Sequence, residues 1–195
     1  LRTGETRWLE NTERGGFPFW SPDSRYFGFA QQNQMRRYHV ESGSVQTIAE
    51  LSSGGFRGGS WSADGRVLFA AGSNDGLKLA DIEGGDITAV TVLDTLLADG
   101  SHRWPQFLPD GEHFIFLADA SSDEGHRLYV HSLDGREKKI LVKGLRSAIL
   151  VDPRGGLMWS DSGQLFTRPF DLARREFSGP RILVQDRVSP FNQRH

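Results

Sequence analysis

The chain has 195 residues, 37% hydrophobic and 25% charged, with 13 Phe, 5 Trp and 23 Gly, enough apolar material for a sizeable core and too much for a disordered segment. A formal charge of −2 supplies no general attraction to nucleic acid or anionic membrane, and no stretch approaches the ~20 apolar residues of a membrane span. Cysteine is absent, which excludes disulfides and thiolate metal sites.

In chain order, "LRTGETRWLE" (1–10) reads as a hairpin turn and outer strand, with residues 1–13 assigned to the edge of a preceding unit. Residues 17–51 form the first full unit. "FWSPDSRYFGFA" (19–30) predicts two strands about a turn, "MRRYHV" (35–40) a third, and "VQTIAEL" (45–51) a fourth after the turn at Glu41–Ser44. Residues 57–94 repeat the plan with "SWSADGRVLFA" (60–70), "LKLADI" (77–82) and "ITAVTVL" (87–93). "TVLDTLLADG" (91–100) reads as a connector with at most one helical turn. Residues 101–144 carry "QFLPDGEHFIFLA" (106–118), "LYVHSL" (128–133), the hairpin signal Asp134-Gly135-Arg136 and "KKILV" (138–142). Residues 147–188 carry "LVDPRGGLMWS" (150–160), "LFTRPF" (165–170) and "RILV" (181–184), and "VSPFNQRH" (188–195) reads as the approach to another inner strand. Most of these runs alternate apolar with polar residues, the pattern of a strand with one buried face.

The units share a turn. Asp23, Asp64, Asp110 and Arg154 align in steps of 41, 46 and 44 residues, and a period of ~40–45 with several short strands per unit is the mark of propeller blades. Pro pre-sets φ in Ser-Pro-Asp and Leu-Pro-Asp, Asp accepts from backbone amides, and Gly or Ser takes the position needing positive φ. Asp23, Asp64 and Asp110 are thus read as turn caps, while the fourth turn, Asp152-Pro153-Arg154-Gly155, is degenerate. The expected fold is an all-β propeller of four-stranded antiparallel blades. About four blades are present, as part of a six- to eight-bladed ring or, alternatively, as a closed four-bladed one.

"FPFWSPDSRYFGF", "RGGSWSADGRVLFA", "SHRWPQFLPDGEHFIFL" and "RPFDLARREFSGPRILV" resemble TolB-like (WD40-like) propeller repeats, and are most similar to the propeller attached to bacterial Ser/Thr protein kinases. The resemblance covers nearly all of residues 1–190. It implies a non-catalytic sensor or scaffold module that binds a protein or ligand, often on the extracytoplasmic side of a bacterial membrane. It further implies that the first strand of each blade lines a central channel, with the segment entering that strand at one mouth.

No catalytic constellation stands out. Gly-x-Ser-x-Gly, Gly-x-Gly-x-x-Gly and kinase motifs are absent from these residues. His39, His102, His113, His126, His131 and His195 show no zinc spacing, and "ASSDEGH" (120–126) offers too few acids for a calcium loop. Neither metal nor cofactor is expected. Carboxylates equivalent in a repeat are more simply caps than glycosidase acids, so a hydrolase propeller, or the gating domain of a prolyl-oligopeptidase-type protease, is the alternative reading. The entry segments are Gly16–Pro18, Phe56–Gly59, Ser101–Trp104 and Ser147–Ala148. Loops on a rigid frame concentrate binding residues, and Arg and Trp often carry interface energy. Arg57, His102, Arg103 and Trp104 are the candidate contacts for a protein or peptide partner, with nucleic acid and membrane insertion not expected. Trp104 has a competing role as a wedge between blades. Trp20, Trp61 and Trp159 are expected in the core, and open outer sheets are expected to favour self-association.

Overall fold

The computed structural model describes residues 8–51, 55–83, 85–120, 125–145, 149–152 and 155–188. The first sheet comprises β1 (Gly16–Trp20), β2 (Tyr26–Gln31), β3 (Gln34–His39) and β4 (Val45–Glu50). The second comprises β5 (Gly59–Trp61), β6 (Arg66–Ala70), β7 (Leu77–Asp81) and the short β8 (Thr88–Ala89). One 3-10 turn, Thr95–Leu97, interrupts the connector to the third sheet, which holds β9 (Asp99–Phe107), β10 (His113–Ala120), β11 (His126–Ser132) and β12 (Lys138–Leu145). The fourth sheet holds β13 (Ile149–Asp152), β14 (Gly156–Asp161) and β15 (Gln164–Asp171), with β16 (Glu176–Phe177) and β17 (Ile182–Gln185) both pairing with β15. Every pairing is antiparallel between successive strands apart from that final branch.

One local device builds three of the tight turns. Ser21 Oγ donates to Asp23 Oδ1 at 2.6 Å and accepts from the Tyr26 amide at 3.0 Å, while Asp23 accepts from the Arg25 amide. Ser62 and Asp64 repeat it in the second sheet, with the Arg66 amide as donor to Ser62. Ser132 and Asp134 repeat it again between β11 and β12, where Glu137 and Arg136 donate. In each case a buried or half-buried hydroxyl closes the ladder that the turn interrupts. Leu108 takes the serine's place in the third sheet, and Asp110 is held instead by the amides of Glu112 and His113 and by the His113 ring at 2.7 Å. Positive φ falls on Ser24, Gly65 and Gly111, one per turn.

The core lies between sheets. Val67 and Phe69 of β6 face the first sheet, joining Met35, Ala49, Phe56 and Trp61, while Leu68 and Ala70 face the third. Likewise Phe114, Phe116 and Ala118 of β10 face the second sheet, and Ile115 and Leu117 pack with Leu157, Trp159 and Phe166 of the fourth. Both faces of β6 and β10 are buried, so their sequences read as continuous apolar runs instead of alternating ones. Complete burial of each such side chain contributes about 1.5–3 kcal/mol.

Two expectations change. Trp61 and Trp159 are buried, but Trp20 is 60% exposed, because it sits on the far face of the first sheet against Phe27, where no further sheet packs among the described residues. Residues 8–13 form turns and no strand, and Trp8 is 99% exposed. Residues 1–7, Ser147–Ala148, Arg154 and 189–195, which carry other expectations, lie outside the described residues.

Candidate functional site

The innermost strands share one irregularity. Phe17, Gly58 and Trp104 occupy equivalent places, four residues before Ser21, Ser62 and Leu108, and all have left-handed φ, of 54°, 96° and 52°. Two of the three are aromatic and precede proline, a position where extended backbone is favoured. The register shifts there, between Gly16 and Phe19 in β1 and opposite Arg103–Gln106 in β9. A β-bulge of this kind re-aims side chains at the rim of a sheet. It brings the Phe17 and Trp104 rings together, centroids 5.4 Å apart, with Phe56 6.2 Å from Phe17. Below them Pro18, Trp20, Gly59, Trp61, Pro105 and Gln106 wall a cleft of about 360 Å³ between the three inner strands.

Trp104 is the pivot. Its amide donates to the Arg57 carbonyl at 2.8 Å, its ring lies over Gly58, and its far side packs on the core between the third and fourth sheets. Its buried Nε1 has no acceptor among the described residues. It is therefore both a wedge between sheets and part of the cleft wall.

Arg57 and Arg103 come together electrostatically. Arg103 forms a short ion pair with Asp119 and donates through Nε to Ser101 Oγ at 2.6 Å. His126 Nδ1 lies 2.9 Å from the other Asp119 oxygen. The His126 ring first, then the Arg103 and Arg57 charges, hold the Asp119 carboxyl below its ordinary range. Burial, with a contribution from Arg57, pulls Arg103 below its ordinary value against the pull of Asp119. Arg57 makes no ion pair among the described residues; its Nη1 donates to the adjacent Phe56 carbonyl at 3.1 Å. Among the described residues two guanidiniums thus share one full carboxylate. Asp119 and His126 left no signal in the sequence, since they meet Arg103 only through the β9–β10–β11 pairing. Phe17 did leave one: an aromatic-proline step in the same register as Trp104-Pro105.

His102 is not at the rim. It is fully buried, its ring 4.5 Å from that of Phe116. Alternation along β9 sends its side chain inward between Ser101 and Arg103. Thr91 Oγ1 accepts from the Leu77 amide at 2.7 Å and lies 2.7 Å from His102 Nδ1. His102 Nε2 faces Asp99 Oδ2 at 3.4 Å, and Asp99 Oδ1 receives Arg127 Nη2 at 2.6 Å. Burial pushes the imidazole down to about 4, with Asp99 opposing. Carboxylate, imidazole and hydroxyl stand in the order of a nucleophile relay, but all are buried and the hydroxyl is already committed to a backbone amide.

The turn carboxylates offer no acid–base pair. Asp64, Asp110 and Glu112 border a second crevice of about 370 Å³, bridged by Arg66 Nη2 at 2.7 Å from Asp64, 2.9 Å from Glu112 and 3.1 Å from the Gly111 carbonyl. The Arg66 bond and then Ser62 draw Asp64 down to about 2. Ser21 and the Arg25 amide lower Asp23 as well. Asp110 is lowered too: burial opposes, but the bonds from His113 prevail. Glycoside hydrolysis needs one carboxyl raised, and each of these three moves the other way. Among the described residues no group of three or more metal-binding side chains converges, and no helix is long and apolar enough to cross a membrane.

No protein-family model matches the chain, and no curated protein sequence matches it. Solved structures do. One from a nidogen–laminin complex has TM-score 0.69 and 16% identity, over 88% of this chain and 64% of that one. Regucalcin, a calcium-binding protein from Agrobacterium tumefaciens, has TM-score 0.64 and 18% identity, over 87% and 58%. The fold is a β-propeller. A putative TolB from Agrobacterium tumefaciens, with TM-score 0.55 and 18% identity over 66% and 49%, is also similar. These identities speak for the fold alone. The four antiparallel sheets are blades consistent with part of a propeller, and the chain spans about three fifths of the length of the first such structures.

Proposed function

We propose that this propeller is a non-catalytic binding module that holds a protein or peptide partner at the mouth of its axial channel. The observation that carries the reading is the Arg57 guanidinium, which stands at the rim without an ion pair among the described residues, beside the Phe17–Trp104 aromatic pair. Arg103 adds charge, tempered by Asp119. An acidic group on the partner would neutralise Arg57, and the aromatic cleft below would take an apolar neighbour. The similarity to a chain solved inside a nidogen–laminin complex supports a protein-binding role. The repeat motifs in turn support a sensor or scaffold part of a bacterial signalling protein, such as an extracytoplasmic propeller joined to a Ser/Thr kinase. The lowered carboxyls of Asp23, Asp64 and Asp110 favour this reading over a hydrolase.

The test is fluorescence anisotropy with labelled peptides that combine Asp or Glu with an aromatic or proline residue. Arg57→Ala is expected to weaken binding about tenfold, and the loss should shrink at high salt. If wild type and Arg57→Ala bind every such peptide equally, the reading is wrong.

A further inference from the structure

The connector from β8 to β9 exposes apolar side chains that its own backbone holds rigid. Val92 is 80% exposed and Leu96 is 96% exposed, with Leu97 also open to solvent. Single exposed apolar residues are ordinary, but here three fall within six positions on a segment pinned at both ends.

At the leading end, Val90 and Thr91 amides both donate to the Leu77 carbonyl, and Thr91 Oγ1 binds the Leu77 amide and His102. Gly76 lies so close beneath that a β-carbon there would strike the Thr91 carbonyl oxygen. At the trailing end, Asp94 Oδ1 accepts from the Leu96 and Leu97 amides at 3.1 and 3.2 Å, the Asp94 amide donates to Asp99 Oδ2, and the Asp99 amide donates to the Asp94 carbonyl. From underneath, the buried Arg127 guanidinium donates to both the Leu97 carbonyl, at 2.5 Å, and Asp99 Oδ1. The buried ion pair therefore fixes the loop that carries the exposed side chains. Such an arrangement limits the ordering cost of association.

Charge selects the partner. From Leu79 to Ser101 the sequence has Asp81, Glu83, Asp86, Asp94 and Asp99 and no Lys, Arg or His; of these only Asp99 is buried against Arg127. An anionic lipid surface would be repelled by this segment. The geometry points to the 92–97 tip as a docking knob for a protein surface bearing a small apolar pocket rimmed by Lys or Arg. This is independent of the Arg57 mouth.

A displayed library of random peptides selected on the full chain tests it. Enriched peptides should pair apolar with basic residues. Leu96→Asp and Val92→Asp should each weaken them about tenfold or more, while Arg57→Ala leaves them unchanged. Both replaced side chains are exposed, so the unfolding midpoint should not move, which separates lost binding from lost folding. Asp94→Asn, which keeps an oxygen for the two amides, should reduce affinity less and flatten its salt dependence. The proposal is overturned if no peptide is enriched, if those enriched are acidic, or if Leu96→Asp leaves them bound. Co-sedimentation with phosphatidylcholine or phosphatidylglycerol vesicles that disappears in Leu96→Asp would also overturn it, in favour of a lipid surface.

Discussion

A β-carbon on Gly58 would lie 2.7 Å from Cε3 of Trp104, so the indole rests on bare backbone. Glycine is required there twice over, because φ is 96° and because the ring of the neighbouring blade occupies the side-chain position. Gly58→Ala is expected to cost about 2 kcal/mol through strain and overpacking. Urea unfolding checks this, and the partner mutation Trp104→Ala should recover the packing part of the loss while leaving the backbone part.

Arg127 and Asp99 form a buried pair that also holds the β8–β9 connector. Arg127→Met would leave a carboxylate buried without its counter-charge, at a cost of about 3–5 kcal/mol. Thermal or denaturant unfolding of Arg127→Met, Asp99→Asn and the double variant should show the double losing less than the sum of the singles.

His102 makes stability depend on pH. Its folded value of about 4 lies below the ordinary 6.5, so unfolding takes up a proton between those limits. The stabilisation is complete above about pH 6.5 and is lost as pH falls towards 4, on the order of 3 kcal/mol in all. Burial lowers His131 as well, which adds to the loss in the same direction. Unfolding midpoints from pH 7 to 4 should fall steeply in wild type and less steeply in His102→Gln. An equal fall in both would show that other groups dominate.

Ser62 both donates to Asp64 and accepts from the Arg66 amide. Ser62→Ala strands that partly buried amide, and a loss of about 1–2 kcal/mol is expected. Ser24→Gly at the positive-φ position of the first turn should instead be neutral or slightly stabilising. Chemical denaturation of the two variants distinguishes a hydroxyl that closes the turn from a residue that merely tolerates it.

Much was legible locally. Turn chemistry is set by residues within five positions of one another, so Ser-Pro-Asp-Ser, Ser-Ala-Asp-Gly and Leu-Pro-Asp-Gly could be read as turns, and strand alternation placed the sheets between them. The aromatic count, however, could not say which tryptophan was covered. Trp20 and Trp61 hold the same place in the repeat, yet among the described residues only Trp61 has a preceding sheet packed against it, with Phe19 and Tyr26 beside its ring. Arg57 and Arg103 keep partly exposed side chains, whereas His102 is turned inward by the parity of the strand.

What the amino-acid order determined by itself was the repeating four-stranded unit and its caps, because those depend on near neighbours and on a two-residue period. Tertiary structure alone decided which cations meet a carboxylate and which apolar side chains stay in water. Asp119 reaches Arg103, and Arg127 reaches Leu97, only after strands distant in sequence have paired, and charge compensation and burial are properties of that assembled neighbourhood.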